Sequence, residues 1–303
     1  MHKPRSTEGT RAGRPARRSG AVVALAACVV AALTSGTAAA AGSDEPLNYV
    51  ALGDSYSAGS GVLPVALDSP LLCAVSTRDY PKVLAARIGA TLTDATCGGA
   101  TTGDFTASQY PGVAPQLDRL GQDTDLVTLT IGGNDEGTFL DAILTCATAG
   151  ILSAGQGSPC KDQNGSKWSD GIEQTVYPAI RNTLAAIKER APGARVAILG
   201  YPWIMPSTYS SGCFVKMPIA KGDVPYLRGL QSDLNDAVRR AAADTGTAYA
   251  DMNGRSDGRD ACTPAGTRWV EPALFGTNYV PVHPNAEGEA AMADAAGQAL
   301  GVG

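Results

Sequence analysis

Short apolar runs that stop on glycine, separated by segments of helical spacing, constrain this chain more than any other feature. The clearest is Leu126-Val127-Thr128-Leu129-Thr130-Ile131, broken at once by Gly132-Gly133-Asn134-Asp135. A strand that is apolar on both faces must be covered on both, which is the situation in a parallel sheet flanked by helices. Residues 47–52 read the same way and end at Gly53, and residues 91–95, 195–199 and 248–252 are further strands. Helical spacing marks residues 80–88, with Val83, Leu84, Arg87 and Ile88 along one side, and also residues 172–191, 227–243 and the Ala-rich 284–300. The alternation predicts an α/β fold with a mostly parallel sheet. Ligands of such sheets bind beyond the carboxyl ends of the strands, and Ser55, Gly99 and Asn134 all follow predicted strands. They should therefore meet at one edge.

The first forty residues have a different character. Lys3, Arg5, Arg11, Arg14, Arg17 and Arg18 precede an apolar run over residues 21–33 and then small residues up to Ala41. This is the layout of a secretory signal peptide, too short for a comfortable transmembrane helix, with cleavage expected near Ala40. Residues 41–303 are then a single domain. Leu25-Ala26-Ala27-Cys28 also resembles a lipoprotein cleavage box, a minor alternative because the apolar run continues past Cys28, and Arg17-Arg18 fits a twin-arginine signal. The leader holds six of the 24 basic residues and one of the 29 acidic ones, which leaves 18 against 28 and a net charge of −10. An acidic exported chain is poorly suited to nucleic acid or to anionic lipid surfaces. About 260 residues suffice for one sizeable core.

Of the seven cysteines, Cys28 belongs to the leader. Cys73, Cys97, Cys146, Cys160, Cys213 and Cys262 remain, and an even number in an exported chain favours three disulfides, with spacing alone unable to choose the pairing. No Cys-x-x-Cys pair suggests a zinc site.

Outside the leader the chain has one histidine, His283. A serine hydroxyl is a weak nucleophile until a base takes its proton, and the turn Gly53-Asp54-Ser55-Tyr56-Ser57 after an apolar strand would expose such a hydroxyl. Asn134 can aim a side-chain amide at an oxyanion, and Cys97-Gly98-Gly99-Ala100 offers backbone N–H groups for the same purpose. Pro284 favours the first turn of a helix, so His283 is expected at or beside an N-cap, where the positive helix end keeps its ring neutral. Apolar loop residues, Trp203 to Met205, Tyr209, Phe214, Val215 and Met217 on one side and Leu63, Leu71 and Leu72 on the other, are candidate walls for an acyl chain.

Together these blocks resemble the GDSL-type, or SGNH, hydrolase superfamily, and Tyr49-Val50-Ala51-Leu52-Gly53-Asp54-Ser55-Tyr56-Ser57-Ala58-Gly59 is similar to its secreted actinobacterial lipases and esterases. The resemblance implies a three-layer flavodoxin-like fold around a mostly parallel five-stranded sheet. It makes Ser55 the nucleophile and His283 the base, with an oxyanion hole from the Ser55 and Gly99 amides and the Asn134 side chain. It also implies cysteines paired in sequence order: Cys73 with Cys97, Cys146 with Cys160, Cys213 with Cys262.

Two residues depart from the family pattern. Tyr56 replaces the leucine of the Gly-Asp-Ser-Leu block, a change expected to leave the chemistry untouched. The usual Asp-x-x-His block reads Val280-Pro281-Val282-His283, so the acid that orients the histidine is missing. The Val280 backbone carbonyl is expected to replace it, with Asp257 or Asp260 as alternatives. The reading is a secreted serine carboxylic-ester hydrolase that needs no metal or cofactor and acts on an ester or lipid as a monomer, without nucleic acid or a stable membrane anchor. The alternatives are a phospholipase A-type or acyl-transfer enzyme, a carbohydrate deacetylase, and a non-catalytic exported binding protein.

Overall fold

In the computed structural model residues 45–303 are described. The expected leader, with Arg17-Arg18, Cys28 and the expected cleavage point near Ala40, lies outside the described residues. Five strands, β1 (Asn48–Ala51), β2 (Thr91–Asp94), β3 (Leu126–Leu129), β4 (Arg195–Leu199) and β5 (Ala248–Ala250), form one sheet in the order β2-β1-β3-β4-β5, every neighbouring pair parallel. This is the flavodoxin-like order, whose winding reverses between β1 and β3. Val50 stands level with Val127, and Val127 with Val196, so the two loops that follow β1 and β3 leave the sheet side by side.

All five strands fall within the strand segments expected from the sequence. Pairing continues a little past the strand ends, with Leu52 N donating to Thr128 O at 2.9 Å and Asp54 N to Thr130 O at 3.0 Å. β3, in the middle, is buried along its whole length, whereas edge strand β2 exposes Thr91 and Thr93.

Five long helices are α1 (Tyr80–Ile88), α2 (Thr138–Leu152), α3 (Tyr177–Arg190), α4 (Val224–Thr245) and α5 (Ala286–Leu300). α1 packs on α5 and α3 on α4, which gives helix, sheet and helix layers. Local signals fix their ends: Asp79 accepts from Lys82 N at 2.8 Å, Pro81 occupies the first turn, and Gly89 closes α1 with φ +65°. α5 starts later than Pro284 would indicate, because the side chain of Asn285 takes the capping role and accepts from the amides of Glu287 and Gly288. His283 therefore sits two residues before the cap. On one face of the sheet Leu129 and Ile131 join Ile180, Leu184 and Ile187 of α3 in the core, all fully buried, each worth roughly 1.5–3 kcal/mol of hydrophobic transfer.

Helix α2 was not legible in the sequence. Its inward residues include Ala142, Ile143 and Cys146, but its outward ones include Leu140, Leu144, Ile151 and Leu152, so the polar row of Asp141, Thr145 and Thr148 is too narrow to mark the solvent side.

Three disulfides join Cys73 to Cys97, Cys146 to Cys160 and Cys213 to Cys262. The first ties the loop beyond β1 to the loop beyond β2, the second anchors α2 to the segment that follows it, and the third links two loops beyond β4 and β5. Each closed loop removes freedom from the unfolded chain, a contribution of roughly 2–4 kcal/mol apiece. Non-reducing peptide mapping should recover these three pairs, and dithiothreitol should lower the melting temperature by well over 10 °C for roughly 6–12 kcal/mol lost in a domain of this size. An unchanged melting point in reductant with all thiols free would contradict this.

Candidate active site

The turn after β1 is built around Gly53. Its φ of +115° is open only to glycine, and a Cβ there would lie 2.3 Å from the Thr130 carbonyl oxygen. Buried Gln116 clamps the turn from outside, accepting from Gly53 N at 2.7 Å and donating to Gly53 O at 3.0 Å. The next residue, Asp54, is buried, and its carboxylate accepts from Tyr56 N at 3.0 Å, Thr130 Oγ1 at 2.7 Å and the Tyr201 hydroxyl at 2.5 Å. Burial pushes its pKa up to about 6 against the pull of those three donors. Both oxygens of Asp54 are thus committed to bracing the turn.

The loop after β3 is tied to the same brace. Gly132 has φ +109°, with Ile180 packed where a Cβ would go, and Gly133 N donates to the Tyr201 hydroxyl at 3.0 Å. A single phenol thus links Asp54 in the first loop to Gly133 in the second. Asn134 donates through Nδ2 to Ala100 O at 3.0 Å, which spends one amide hydrogen and leaves the other. Asp135 accepts from the Thr102 amide at 3.1 Å and also from its hydroxyl, so the loop carrying Gly99 is pinned to the loop carrying Asn134. Gly99 is solvent-exposed with φ +78°.

His283 closes the arrangement. Its Nε2 lies 2.7 Å from Ser55 Oγ, across 228 residues of chain, and its Nδ1 lies 2.8 Å from the Pro281 carbonyl. A carbonyl oxygen only accepts, so Nδ1 carries the proton and Nε2 is left free to accept from the serine. Burial lowers the histidine pKa below its ordinary value, with the Pro281 carbonyl acting in the opposite direction. The ring is therefore neutral at neutral pH.

The carbonyl is that of Pro281, which corrects the expectation of Val280 by one residue. The reason is Val282, whose φ of +55° turns the chain so that the imidazole folds back over the residue two before it. A β-branched residue at positive φ is strained, and such strain persists only where the surroundings hold it. Here the Tyr56 hydroxyl donates to Val282 O at 2.7 Å. The Tyr56 ring lies 5.1 Å from the His283 ring and 5.1 Å, edge-on, from that of Tyr201. On the far side, Glu271 N donates to His283 O at 2.9 Å, and Glu271 is itself locked by a buried pair with Arg268 at 2.6 Å. The tyrosine that replaces the family's leucine thus reaches the loop that lacks the family's acid.

Neither aspartate alternative touches His283. Asp257 pairs with Arg228 at 2.7 Å, and Asp260 is buried, accepting from Cys262 N at 3.0 Å.

The pocket over Ser55, Asn134 and His283 is walled by Phe139, Leu140 and Ile143 from α2, with Ile204 and Val282. Of the apolar loop residues proposed as walls, only Ile204 lies there. Trp203 and Met217 are buried in the core, Trp203 under the Arg228 guanidinium at 3.9 Å, while Leu63, Leu71, Leu72 and Val215 stand exposed. The pocket walls were missed because they belong to the helix that carries no periodic signal.

The GDSL-like Lipase/Acylhydrolase family model matches residues 51–291. The chain is 59% identical over 284 residues to Lipase 2 of Streptomyces coelicolor, covering 93% of this chain and 96% of that one, and 33% identical over 278 residues to a lipase of Streptomyces rimosus, covering 91% and 95%. Among solved structures it is similar to the extracellular lipase of Streptomyces rimosus (TM-score 0.68, 32% identity, 84% of this chain and 99% of that chain) and to phospholipase A1 of Streptomyces albidoflavus NA297 (TM-score 0.68, 29% identity, 81% and 95%). With the sheet order, the glycine turns and the matched span in agreement, the chain belongs to the GDSL-like lipase/acylhydrolase family of ester hydrolases.

Proposed function

We propose that this protein is an exported serine carboxylic-ester hydrolase that cleaves lipid esters through an acyl-enzyme on Ser55. One observation carries the reading: Ser55 Oγ lies 2.7 Å from the free nitrogen of a histidine whose other nitrogen is held by a carbonyl. Ser55 Oγ attacks the ester carbonyl carbon while Nε2 takes its proton. The oxyanion that forms is stabilised by the unspent Asn134 amide hydrogen together with the Ser55 and Gly99 backbone amides, each such donor worth roughly 10²–10³ in rate. The imidazolium then gives its proton to the leaving alcohol oxygen, and the ester bond to that oxygen breaks. Water repeats the sequence on the acyl-serine, His283 taking its proton and returning it to Ser55 as the acid departs. Pro281 does for the ring what a triad acid does for orientation, without adding a negative charge.

An apolar pocket wall suits the acyl chain rather than a sugar, and the three disulfides fit an oxidising compartment. Residues 1–40 are the cleaved leader in this reading, and 41–303 the working domain. Since all site residues come from one chain, a monomer is sufficient. The likeness to phospholipase A1 supports a second reading, in which the ester is that of a phospholipid.

Hydrolysis of p-nitrophenyl esters below their critical micelle concentrations tests the acyl assignment. Each further methylene buried against Phe139, Leu140 and Ile143 should raise kcat/KM by up to about fourfold, the equivalent of ~0.8 kcal/mol, until the pocket is full at medium chain length. A profile that peaks at acetate and falls steeply would point to a deacetylase. Faster release from phosphatidylcholine than from triglyceride would favour the second reading.

A further inference from the structure

Helix α2 shows water an aliphatic stripe that runs beside its polar residues Asp141, Thr145 and Thr148. Its most exposed large side chains are Leu140 (56% exposed), Leu144 (58%), Ile151 (62%) and Leu152 (83%). At about 100° per residue, Leu140, Leu144 and Ile151 lie within roughly 40° of one another, so they form one stripe along the helix. An exposed aliphatic stripe of this kind marks a contact surface. The Cys146–Cys160 disulfide fixes the helix to the segment after it, which presents the stripe on a rigid support.

Two features say what the stripe meets. It begins inside the catalytic pocket, where Leu140 lines the wall beside Phe139 and Ile143, and it continues outward through Leu144 to Ile151. An acyl chain leaving the pocket along α2 would run onto it without crossing a polar boundary. The stripe also carries no aromatic or arginine anchor of the kind that dominates protein–protein hot spots. The one charge on α2, Asp141, lies beside the stripe and is taken up by Lys167 Nζ at 3.2 Å and Trp168 Nε1 at 3.2 Å. With no basic group on the stripe and a net negative chain, an anionic surface would be repelled.

We infer that the outer face of α2 docks the enzyme on the surface of an electrically neutral lipid aggregate, so that acyl chains pass from the aggregate along Leu144 and Leu140 to Ser55. This rests on the ester-hydrolase reading above. The triple variant Leu144→Gln, Ile151→Gln, Leu152→Gln tests it, with Leu140 kept because it belongs to the pocket. Two quantities are measured: kcat/KM on water-soluble p-nitrophenyl butyrate, and the fraction of protein bound to a triolein emulsion. The expected result is a soluble-ester kcat/KM within about twofold of wild type and emulsion partitioning reduced at least about tenfold. The single variants Leu144→Gln and Ile151→Gln should each show a smaller fall of the same kind, which keeps the test available should the triple variant fold poorly. Unchanged emulsion binding would overturn the inference, and so would a fall in soluble-ester kcat/KM as large as the fall in emulsion binding. A wild type that elutes as a dimer, made monomeric by the triple variant, would also overturn it by assigning the stripe to a second copy. If wild type bound triolein through the stripe but hydrolysed no soluble ester, the docking surface would stand and the catalytic reading would fall.

Discussion

Replacing either Ser55 or His283 with alanine is expected to lower ester hydrolysis by about 10³-fold or more while leaving the melting temperature close to that of wild type. The first change removes the attacking oxygen, and the second leaves a hydroxyl with no base within reach, because His283 is the only histidine among the described residues. The two losses should not add, since serine and histidine act as one unit joined by a 2.7 Å contact, and the double variant should be about as slow as either single one. A His283→Ala protein that kept more than about a tenth of wild-type turnover would lie far above what loss of a general base allows. The roles assigned here would then be wrong.

Tyr56→Phe deletes one oxygen atom and is expected to cost roughly 10- to 100-fold in kcat, with KM for a soluble ester little changed. Its hydroxyl is the donor to Val282 O, and Val282 is the strained residue whose positive φ aims the imidazole. Without that bond the loop can relax, and a displacement of the order of 1 Å at Nε2 is enough for the loss. A structural role alone would move stability rather than kcat. Rescue separates the two further: Val282→Gly, added to Tyr56→Phe, should recover part of kcat because glycine adopts the positive φ without strain. Asp257→Asn and Asp260→Asn should stay near wild type, in contrast to the ~10⁴-fold cost of altering a true triad acid. Wild-type kcat in Tyr56→Phe, or a collapse in either aspartate variant, would move the orienting role elsewhere.

The sheet was legible because a strand buried on both faces has to be apolar throughout, and runs such as 126–131 fit little else. The site followed from it, since a parallel sheet sends Ser55, Gly99 and Asn134 to one edge and only one histidine could join them. What escaped the sequence depends on three-dimensional detail. The carbonyl behind His283 moves from Val280 to Pro281 with the sign of one φ angle at Val282, a residue type that rarely adopts it. The start of α5 passed from Pro284 to Asn285 because a side-chain cap outweighs a proline preference. The pocket wall lay in α2, where outward leucines erase the period on which helix recognition depends. The Tyr201 link between Asp54 and Gly133 joins loops from three different strands, and nothing local announces it.

Covalent trapping tests the central claim most directly. The native protein, treated with a small fluorophosphonate and digested, should gain one adduct, on the peptide containing Ser55. The rate of labelling should stay near its neutral-pH value until the pH falls below the usual histidine pKa of about 6.5, because burial keeps the His283 ring unprotonated to lower pH. Ser55→Ala should not label, and His283→Ala should label at a small fraction of the wild-type rate. An adduct on any other residue, or no adduct on a protein that still hydrolyses esters, would contradict the account.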